Sequence, residues 1–471
     1  MSPRGRQHPL AADAVERAFD RATGGRPIPG NRVGLLFDGP AAFEAMLGLI
    51  AGAERWIHFD NYIFQSDETG FRFAEALAAR ARVGVKVRVS VDWLGSFGTK
   101  RTLWQLLESA GVSIHFFHRP GLLDLPSYLS RNHRKLVVAD GRRAVLGGFC
   151  IGDEWAGDLA RGRLPWRDTA IAVDGPAAAA LDRAFARTWA IGAPQLPDDE
   201  FASEVEACGS AFVRVLAGEP ATERAYRVTE LLLATAAERV WVTDAYLVAP
   251  RRLYRYLVDA ATEGVDVRLL VPGTSDIPLV RNLTRFGYRD LIRAGVRIYE
   301  WNGPMLHAKT VVADSRWVRI GSSNLNHSSL VSNYELDVLV DAPDLADEME
   351  AQFRRDLDQS AEVSTRPVRA PRQLRGVLPP ALSIPAATGS RHARGVRERG
   401  SRSVLAMRTL VAGARLALFG PLAIGFAVIG VLFLVLPGPM AITFGIASTW
   451  LAVVAGAEAL RRRRDHADHP R

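Results

Sequence analysis

One pattern, His-x-Lys-x-x-x-x-Asp, occurs twice in this chain of 471 residues. The two copies are His133, Lys135, Asp140 and His307, Lys309, Asp314. Each copy runs into a short apolar stretch that ends in small residues, which is typical of a buried strand followed by a turn. The pattern therefore makes a duplicated domain the first hypothesis for the fold.

Three further segment pairs repeat in the same order as the motifs. Residues 53–64 resemble 237–248, residues 84–91 resemble 264–271, and residues 110–117 resemble 294–301. The offsets all lie between 174 and 184 residues when the two motifs are included. In each copy an apolar-periodic helix, at 73–84 and 253–264, leads into an alternating strand. The repeat predicts two tandem copies of one α/β domain with a largely buried sheet.

The basic excess of the chain is confined to its C-terminal part. Residues 359–471 contain 16 Arg, no Lys and five acidic residues, a net charge of +11, whereas residues 1–358 have a net charge of −3. Proteins that bind nucleic acid usually carry basic residues on the binding domain itself. The distribution argues against a nucleic-acid partner for the body and favours an anionic membrane surface as the partner of the tail.

A membrane segment is predicted near the C-terminus. Residues 416–457 contain no charged residue and are split by Pro437-Gly438-Pro439 into two apolar stretches close to the roughly 20 residues that a bilayer span needs. Arginines on both sides predict that both ends are cytoplasmic, as in a two-helix hairpin. A re-entrant or in-plane hairpin remains an alternative. The turn resembles a small family of bacterial membrane segments with a PGPG core.

These features predict six segments and no cleavable signal peptide. The segments are an N-terminal helical or flexible segment at 1–29, a first domain at 30–200, a second domain at 201–358, a flexible basic linker at 359–403, the membrane hairpin at 404–464 and a tail at 465–471.

The residue types of the motif suit phosphodiester exchange. On a strand, the side chains of His-x-Lys lie on one face because the side-chain period is two. One imidazole can attack phosphorus, and the other can protonate the leaving alkoxide and then deprotonate the incoming alcohol or water. Lys135 and Lys309 would stabilise charge on the nonbridging oxygens. This chemistry requires no metal and no cofactor, and none is predicted.

The motifs resemble those of the phospholipase D superfamily, and most closely those of bacterial cardiolipin synthases. The similar segments are NHRKLVVADGR…LGG, WRDTAIAVDGPA and HAKTVVAD…GSSN…NYELDV, and the resemblance covers about residues 30–358. It implies two pseudo-twofold-related α-β-α sandwich domains, an active site at their interface and a phosphohistidine intermediate. It also implies that His133 is the nucleophile and His307 the general acid and base, although the near-identity of the motifs leaves that order open.

Supporting residues are assigned through the same resemblance. Ser322 and Asn324, in Gly-Ser-x-Asn, are expected to bind phosphate. Glu335 is expected to orient His307, and Asp168 is expected to orient His133. Asp140 and Asp314 belong to the catalytic motifs, but we expect them to serve the strand ends rather than the chemistry. Cys150 stands where cardiolipin synthases commonly have Asn, so the two halves are not equivalent.

The sequence therefore predicts a membrane-associated phosphatidyltransferase of the bacterial inner membrane, with cytoplasmic catalytic domains. It would form cardiolipin or a related phospholipid by transesterification of phosphatidylglycerol-like substrates. A phospholipase D-type hydrolase would use the same residues and differs only in using water as the acceptor. A nuclease of the superfamily and a non-catalytic membrane scaffold are further alternatives. The charge distribution and the apolar hairpin disfavour the nuclease.

Overall fold

The repeated sequence builds a repeated strand order. The computed structural model describes residues 9–118, 130–277, 280, 284, 285, 287–364 and 450. The strands are β1 (Ile28–Phe37), β2 (Trp56–Asn61), β3 (Lys86–Asp92), β4 (Ser113–Phe117), β5 (Leu136–Ala139), β6 (Arg143–Gly147), β7 (Thr169–Asp174), β8 (Ala211–Gly218), β9 (Arg239–Asp244), β10 (Asp266–Pro272), β11 (Arg297–Trp301), β12 (Lys309–Ala313), β13 (Trp317–Gly321), β14 (Glu335–Asp341) and β15 (Ser360–Glu362). The α-helices are α1 (Pro9–Thr23), α2 (Asp38–Ala51), α3 (Glu68–Arg82), α4 (Arg101–Ser109), α5 (Asp153–Ala156), α6 (Pro176–Trp189), α7 (Arg224–Thr235), α8 (Arg251–Thr262), α9 (Tyr288–Ala294) and α10 (Pro343–Asp358).

The strands form one sheet of 15 strands within the described residues. The first half has the order β1-β7-β6-β5-β2-β3-β4, and the second has β8-β14-β13-β12-β9-β10-β11, followed by β15. Adding seven to each strand number of the first half gives the order of the second. Antiparallel pairing of β1 with β8 joins the halves. The predicted α/β class is confirmed, and the two halves share a single hydrogen-bonded sheet.

One apolar core contains side chains from both halves. Leu146 of β6 and Ile320 of β13 lie in it together with Phe185 of α6 and Phe353 of α10. A second core lies under α2, α3 and α4 in the first half, and a third lies under α7 and α8 in the second. β5 and β12 are buried along their whole length, as expected for strands covered on both faces. The strands that lie within the two motifs are therefore buried in the interior.

Several predicted segments fall wholly or partly outside the described residues. The hairpin at 404–464, apart from Trp450, and the tail at 465–471 lie outside them, as do residues 365–403 of the predicted linker. The first part of that linker is ordered, because β15 pairs antiparallel with β11. In the described part of the chain, no helix combines the length and apolarity needed to cross a bilayer. Helix α1 occupies part of the segment predicted at 1–29, and the domain boundaries stay a prediction.

Candidate active site

Both motif histidines line one cleft of about 560 Å³. His133 lies just before β5 and His307 just before β12, and each backbone position is fixed by the other half of the sheet. The amide of His133 donates to the carbonyl of Tyr334 over 2.9 Å, and the amide of His307 donates to the carbonyl of Arg167 over 2.7 Å. The two copies of the motif therefore contribute to a single site at the junction of the halves.

Each imidazole contacts a carboxylate from the opposite half of the chain. His133 Nδ1 lies 3.0 Å from Glu335 Oε2, and His307 Nδ1 lies 2.8 Å from Asp168 Oδ2. The sequence-based pairing, which assigned Asp168 to His133 and Glu335 to His307, is wrong. Both carboxylates do contact a histidine, but the partners are exchanged between the halves.

The exchange follows from two parallel bridges between the halves. Asn132 bridges to Tyr334, and Arg167 bridges to Leu306. In each bridge, one residue directly precedes a histidine and the other directly precedes the carboxylate residue of the opposite half. The bridge therefore brings that histidine and that carboxylate together. Arg167 reinforces this arrangement by donating three hydrogen bonds, at 2.8–3.0 Å, to Asp356 of α10. Spacing along the chain does not report such bridges, and this is why the sequence suggested partners within each half.

The carboxylates fix the tautomer of both histidines. A carboxylate at Nδ1 accepts the Nδ1 proton and leaves the Nε2 lone pair for the cleft. Burial, together with Lys309, lowers the pKa of His307 to about 3, and burial also lowers the pKa of His133. Burial alone would raise the pKa of Asp168, but His307 and Lys309 outweigh it and hold that pKa below its usual value. The cleft therefore holds two neutral imidazoles backed by ionised carboxylates.

The motif lysines lie beside the histidines and are almost fully buried. Lys135 Nζ donates to the carbonyl of His133 over 2.6 Å, and Lys309 Nζ donates to the carbonyl of His307. Burial lowers the pKa of Lys309 to about 8. Two buried cations in the same site, partly desolvated, form an environment that favours an anion between them.

Asp140 and Asp314 lie at the far ends of β5 and β12 and do not line the cleft. Asp140 accepts hydrogen bonds from the amides of residues 54–56 at 2.8–2.9 Å. Asp314 does the same for residues 237–239 at 2.7–2.9 Å. Both have positive φ angles, 56° and 50°, a conformation that Asp tolerates better than most residues. These contacts match the expected strand-end role, and nothing in them supports a part for Asp140 or Asp314 in the chemistry.

The predicted phosphate-binding pair is divided by the structure. Ser322 is fully buried, and its hydroxyl donates to Glu335 Oε2 over 2.5 Å and accepts from the amide of Leu336 over 2.9 Å. The hydroxyl thus holds the Glu335 carboxylate that contacts His133, and it does not face the cleft. Asn324 does line the cleft, and so does its counterpart Cys150. Asn324 stays a prediction for phosphate binding, whereas Ser322 is corrected to a residue that positions Glu335.

Sequence reasoning missed the aromatic residues of the cleft. The ring of Tyr62 lies 5.1 Å from that of His133, and the ring of Tyr246 lies 6.0 Å from that of His307. The indole rings of Trp155 and Trp166 lie 5.5 and 5.8 Å from the ring of His307. A signal was available for the tyrosines, because they occupy the same position in the repeated segments 53–64 and 237–248. The aromatic surroundings are denser around His307 than around His133.

The site thus combines two nucleophilic imidazoles, two carboxylates and two lysines with an aromatic wall. Among the residues that the structure describes, no three His, Cys, Asp or Glu side chains are placed to hold a metal ion. The arrangement can pass a phosphoryl-centred group from one oxygen to another through a phosphohistidine.

Comparison with known proteins identifies the family. Residues 231–357 match the domain family described as "Cardiolipin synthase, PLD-like domain". Cardiolipin synthase A of Pseudomonas aeruginosa is 34% identical over 361 residues, which cover 76% of this chain and 73% of that protein. The chain belongs to the family of phospholipase D-like cardiolipin synthases. Cardiolipin synthase A of Pseudomonas fluorescens Pf-5 is 32% identical over 356 residues, or 74% of this chain and 73% of that one.

The fold of the present chain is also found in a solved structure. Phosphatidylserine synthase of Haemophilus influenzae Rd KW20 superimposes with a TM-score of 0.60 at 16% identity. The superposition covers 74% of this chain and 92% of that enzyme. At this level of identity the similarity concerns the fold, namely the arrangement of the described sheet and its helices.

Proposed function

We propose that the protein is a phosphatidyltransferase that forms cardiolipin, or a related phospholipid, from phosphatidylglycerol-like substrates. Family membership supports the substrate class. The observation that carries the mechanism is the pair of histidines in one cleft, each with its Nδ1 on a carboxylate of the opposite half. That geometry supplies both a nucleophile and an acid–base group to one phosphorus atom.

The first half-reaction transfers the phosphatidyl group to the protein. His133 Nε2 attacks phosphorus and forms a P–N bond as the bond from phosphorus to the glycerol oxygen breaks. His307 gives a proton to that oxygen, so that the first alcohol leaves neutral. Lys135 and Lys309 stabilise the charge on the nonbridging oxygens. Trp155 and Trp166 exclude water from the side of His307.

The second half-reaction reverses these roles. His307, now neutral, takes the proton from the hydroxyl of an incoming lipid alcohol. The alcohol oxygen attacks phosphorus, the P–N bond breaks, and His133 returns to its neutral state. The product is the new phosphodiester, and no cofactor is consumed in the exchange.

The order of the two histidines rests on the family resemblance. Burial lowers the pKa of His307 to about 3, which by itself favours the neutral form and not the acid. A bound phosphodiester anion raises that pKa, because an opposite charge close to an imidazole stabilises its protonated form. Mapping the trapped phosphohistidine by peptide mass spectrometry tests the order, and a phosphoryl group on His307 would reverse it.

A phospholipase D-type hydrolase is the second candidate, since water can replace the lipid alcohol without any change of residues. The aromatic wall near His307 favours the transferase, because apolar side chains accommodate lipid and limit water. We further propose that residues 404–464 form the membrane hairpin and that the catalytic part faces the cytoplasm at the bacterial inner membrane. Labelling of the C-terminus from outside intact cells would contradict that topology.

The decisive experiment supplies labelled phosphatidylglycerol to the purified protein in detergent, with His133→Ala as the matched control. Cardiolipin and glycerol in equal amounts support the transferase. Phosphatidic acid alone shows a hydrolase. Cleavage of DNA without any lipid turnover would establish the nuclease, and no turnover of either substrate, with no phosphohistidine, would favour the scaffold.

A further inference from the structure

Large apolar side chains that face solvent are concentrated on three loops beside the cleft. Within the described residues of Met1–Arg369, seven large apolar side chains are exposed, and five of them lie on these loops. We call these five the apolar rim: Leu94, Phe97, Leu159, Leu164 and Ile277. The other two, Val83 and Phe212, lie at the end of α3 and at the start of β8. Exposed apolar side chains that were scattered at random would not be concentrated on the loops of one cleft.

The first rim loop is anchored to the wall of the cleft on the side of His133. It carries Leu94 and Phe97, the latter 63% exposed. Ser96 of this loop donates to the carbonyl of Tyr62 over 3.3 Å and accepts from the amide of Phe64 over 3.1 Å. Because Tyr62 lines the cleft, this loop is attached directly to the cleft wall.

The second rim loop projects between two tryptophans that line the cleft on the side of His307. The amide of Asp158 donates to the carbonyl of Arg163 over 2.7 Å, and the reverse bond is 2.9 Å, so the loop is a closed hairpin. The rings of Trp155 and Trp166, 4.5 Å apart, clamp its base. Leu159 lies within this hairpin and Leu164 directly follows it, and their side chains are 69% and 61% exposed.

The third rim position, Ile277, lines the cleft itself and is 45% exposed. Its neighbour Asp276 accepts a hydrogen bond from Tyr246 Oη at 2.8 Å, and this fixes the loop beside the ring that faces His307. Three loops from separate parts of the chain thus bring apolar side chains to the mouth of the same cleft.

Basic side chains alternate with the apolar ones on two of these loops. Arg161 and Arg163 share a single carboxylate, Asp158, at 3.3 Å each, which leaves the second rim loop with a net positive charge. Lys100 and Arg101 follow Phe97, and no acidic residue lies between 93 and 101. Leucine or phenylalanine interleaved with arginine and lysine is the composition of segments that lie in the interface of anionic membranes.

We propose that the apolar rim inserts into an anionic phospholipid bilayer and places the mouth of the cleft at the membrane surface. This inference rests on the proposed function in one respect, because lipid substrates would then enter the cleft from the bilayer without crossing water. It concerns the folded body and is separate from the predicted hairpin at 404–464.

Site-specific quenching tests the insertion in the full chain. In a Cys208→Ser background, a polarity-sensitive fluorophore is attached at Leu164→Cys or, as the matched control, at the equally exposed Val83→Cys. The protein is reconstituted in phosphatidylglycerol vesicles with brominated acyl chains. We expect quenching at 164 to exceed that at 83 about threefold or more, because only the rim reaches the acyl region. Equal quenching at both positions, or none at 164, would overturn the proposal.

A second readout separates this inference from the proposed function. Leu159→Ser combined with Leu164→Ser should lower turnover of vesicle-embedded lipid by about tenfold, since two leucines lose their insertion. Turnover of a short-chain monomeric lipid should change less than about twofold. Equal loss on both substrates contradicts the rim, whereas absence of turnover in the unmodified protein contradicts only the proposed function. If the fluorescence at 164 changes without vesicles and in proportion to protein concentration, a second copy of the chain covers the rim. That result would overturn the membrane role.

Discussion

The exchange of carboxylates between the halves makes a prediction that the within-half pairing does not share. Asp168 contacts His307 at 2.8 Å, and Glu335 contacts His133 at 3.0 Å. If His133 is the nucleophile, Glu335 supports formation of the phosphohistidine and Asp168 supports only the proton transfers. Asp168→Asn and Glu335→Gln should therefore impair different steps of the same reaction.

The size of each effect follows from the contact that is lost. A hydrogen bond to a buried charged group contributes about 1.5–3 kcal/mol, which corresponds to roughly 10- to 150-fold in rate. An amide can also donate to Nδ1 and move the imidazole proton to Nε2, where it blocks the reacting lone pair. The same substitution in a Ser-His-Asp triad lowers kcat by about 10⁴-fold, which sets an upper limit. We expect losses of about 10²- to 10⁴-fold for natural lipid donors.

A donor with p-nitrophenol as its leaving group isolates the first step, because that group departs without a proton. In a His307→Ala background, adding Glu335→Gln should slow phosphohistidine formation by at least about tenfold. Adding Asp168→Asn should change it by less than about threefold, since its partner is already absent. Circular dichroism and thermal unfolding of each variant control for folding. If Asp168→Asn slows this step as much as Glu335→Gln does, the exchanged pairing has no functional meaning.

Three further predictions concern individual residues. Asp140→Ala should lower the free energy of unfolding by about 2–4 kcal/mol in a denaturation assay, because three amide hydrogen bonds and a residue suited to positive φ are lost. In a parallel turnover assay, kcat per folded molecule should stay unchanged. The ammonium form of Lys309 is required to hold phosphate and its pKa is about 8, so KM should be constant below that pH and rise above it, and Lys309→Arg should abolish the rise. Burial raises the pKa of Cys150, so a thiol reagent should modify only Cys208 in the native protein and both cysteines after unfolding, and Cys208→Ser should lose one modified thiol in each state. Rapid modification of two thiols in the native protein would contradict the burial of Cys150.

The sequence was sufficient for the α/β class and the duplication because both depend on periodicity and repeat spacing. The strand order of the halves could not be read from it, since β1 pairs with β7 and β8, far away along the chain. Tyr62 and Tyr246 were accessible in principle, because the repeat retains them while its apolar positions vary. A tyrosine in an apolar segment usually packs in the core, so the repeat alone does not mark these two as cleft residues.

The roles of Ser322, Asp168 and Glu335 could not be predicted because they depend on side-chain direction across the junction. The residue type of Ser322 suits a phosphate ligand, and only the 2.5 Å contact with Glu335 shows that its hydroxyl is already used. In the same way, offsets of 28 and 35 residues from the histidines are compatible with either pairing. Spacing identifies which side chains reach a site, and the packing of the two halves decides which of them meet.

The two halves have diverged as matched sets, not residue by residue. In the second half Glu335 is long enough to reach His133 while leaving room for the hydroxyl of Ser322 beneath it. In the first half the shorter Asp168 must approach its own strand more closely, and a Cβ at Gly148 would lie only 2.2 Å from Asp168 Oδ1. Glycine at 148 is therefore required by aspartate at 168, as serine at 322 is allowed by glutamate at 335. Because each set serves the histidine of the other half, this difference gives the two imidazoles different surroundings, as a division of labour between nucleophile and acid–base group requires.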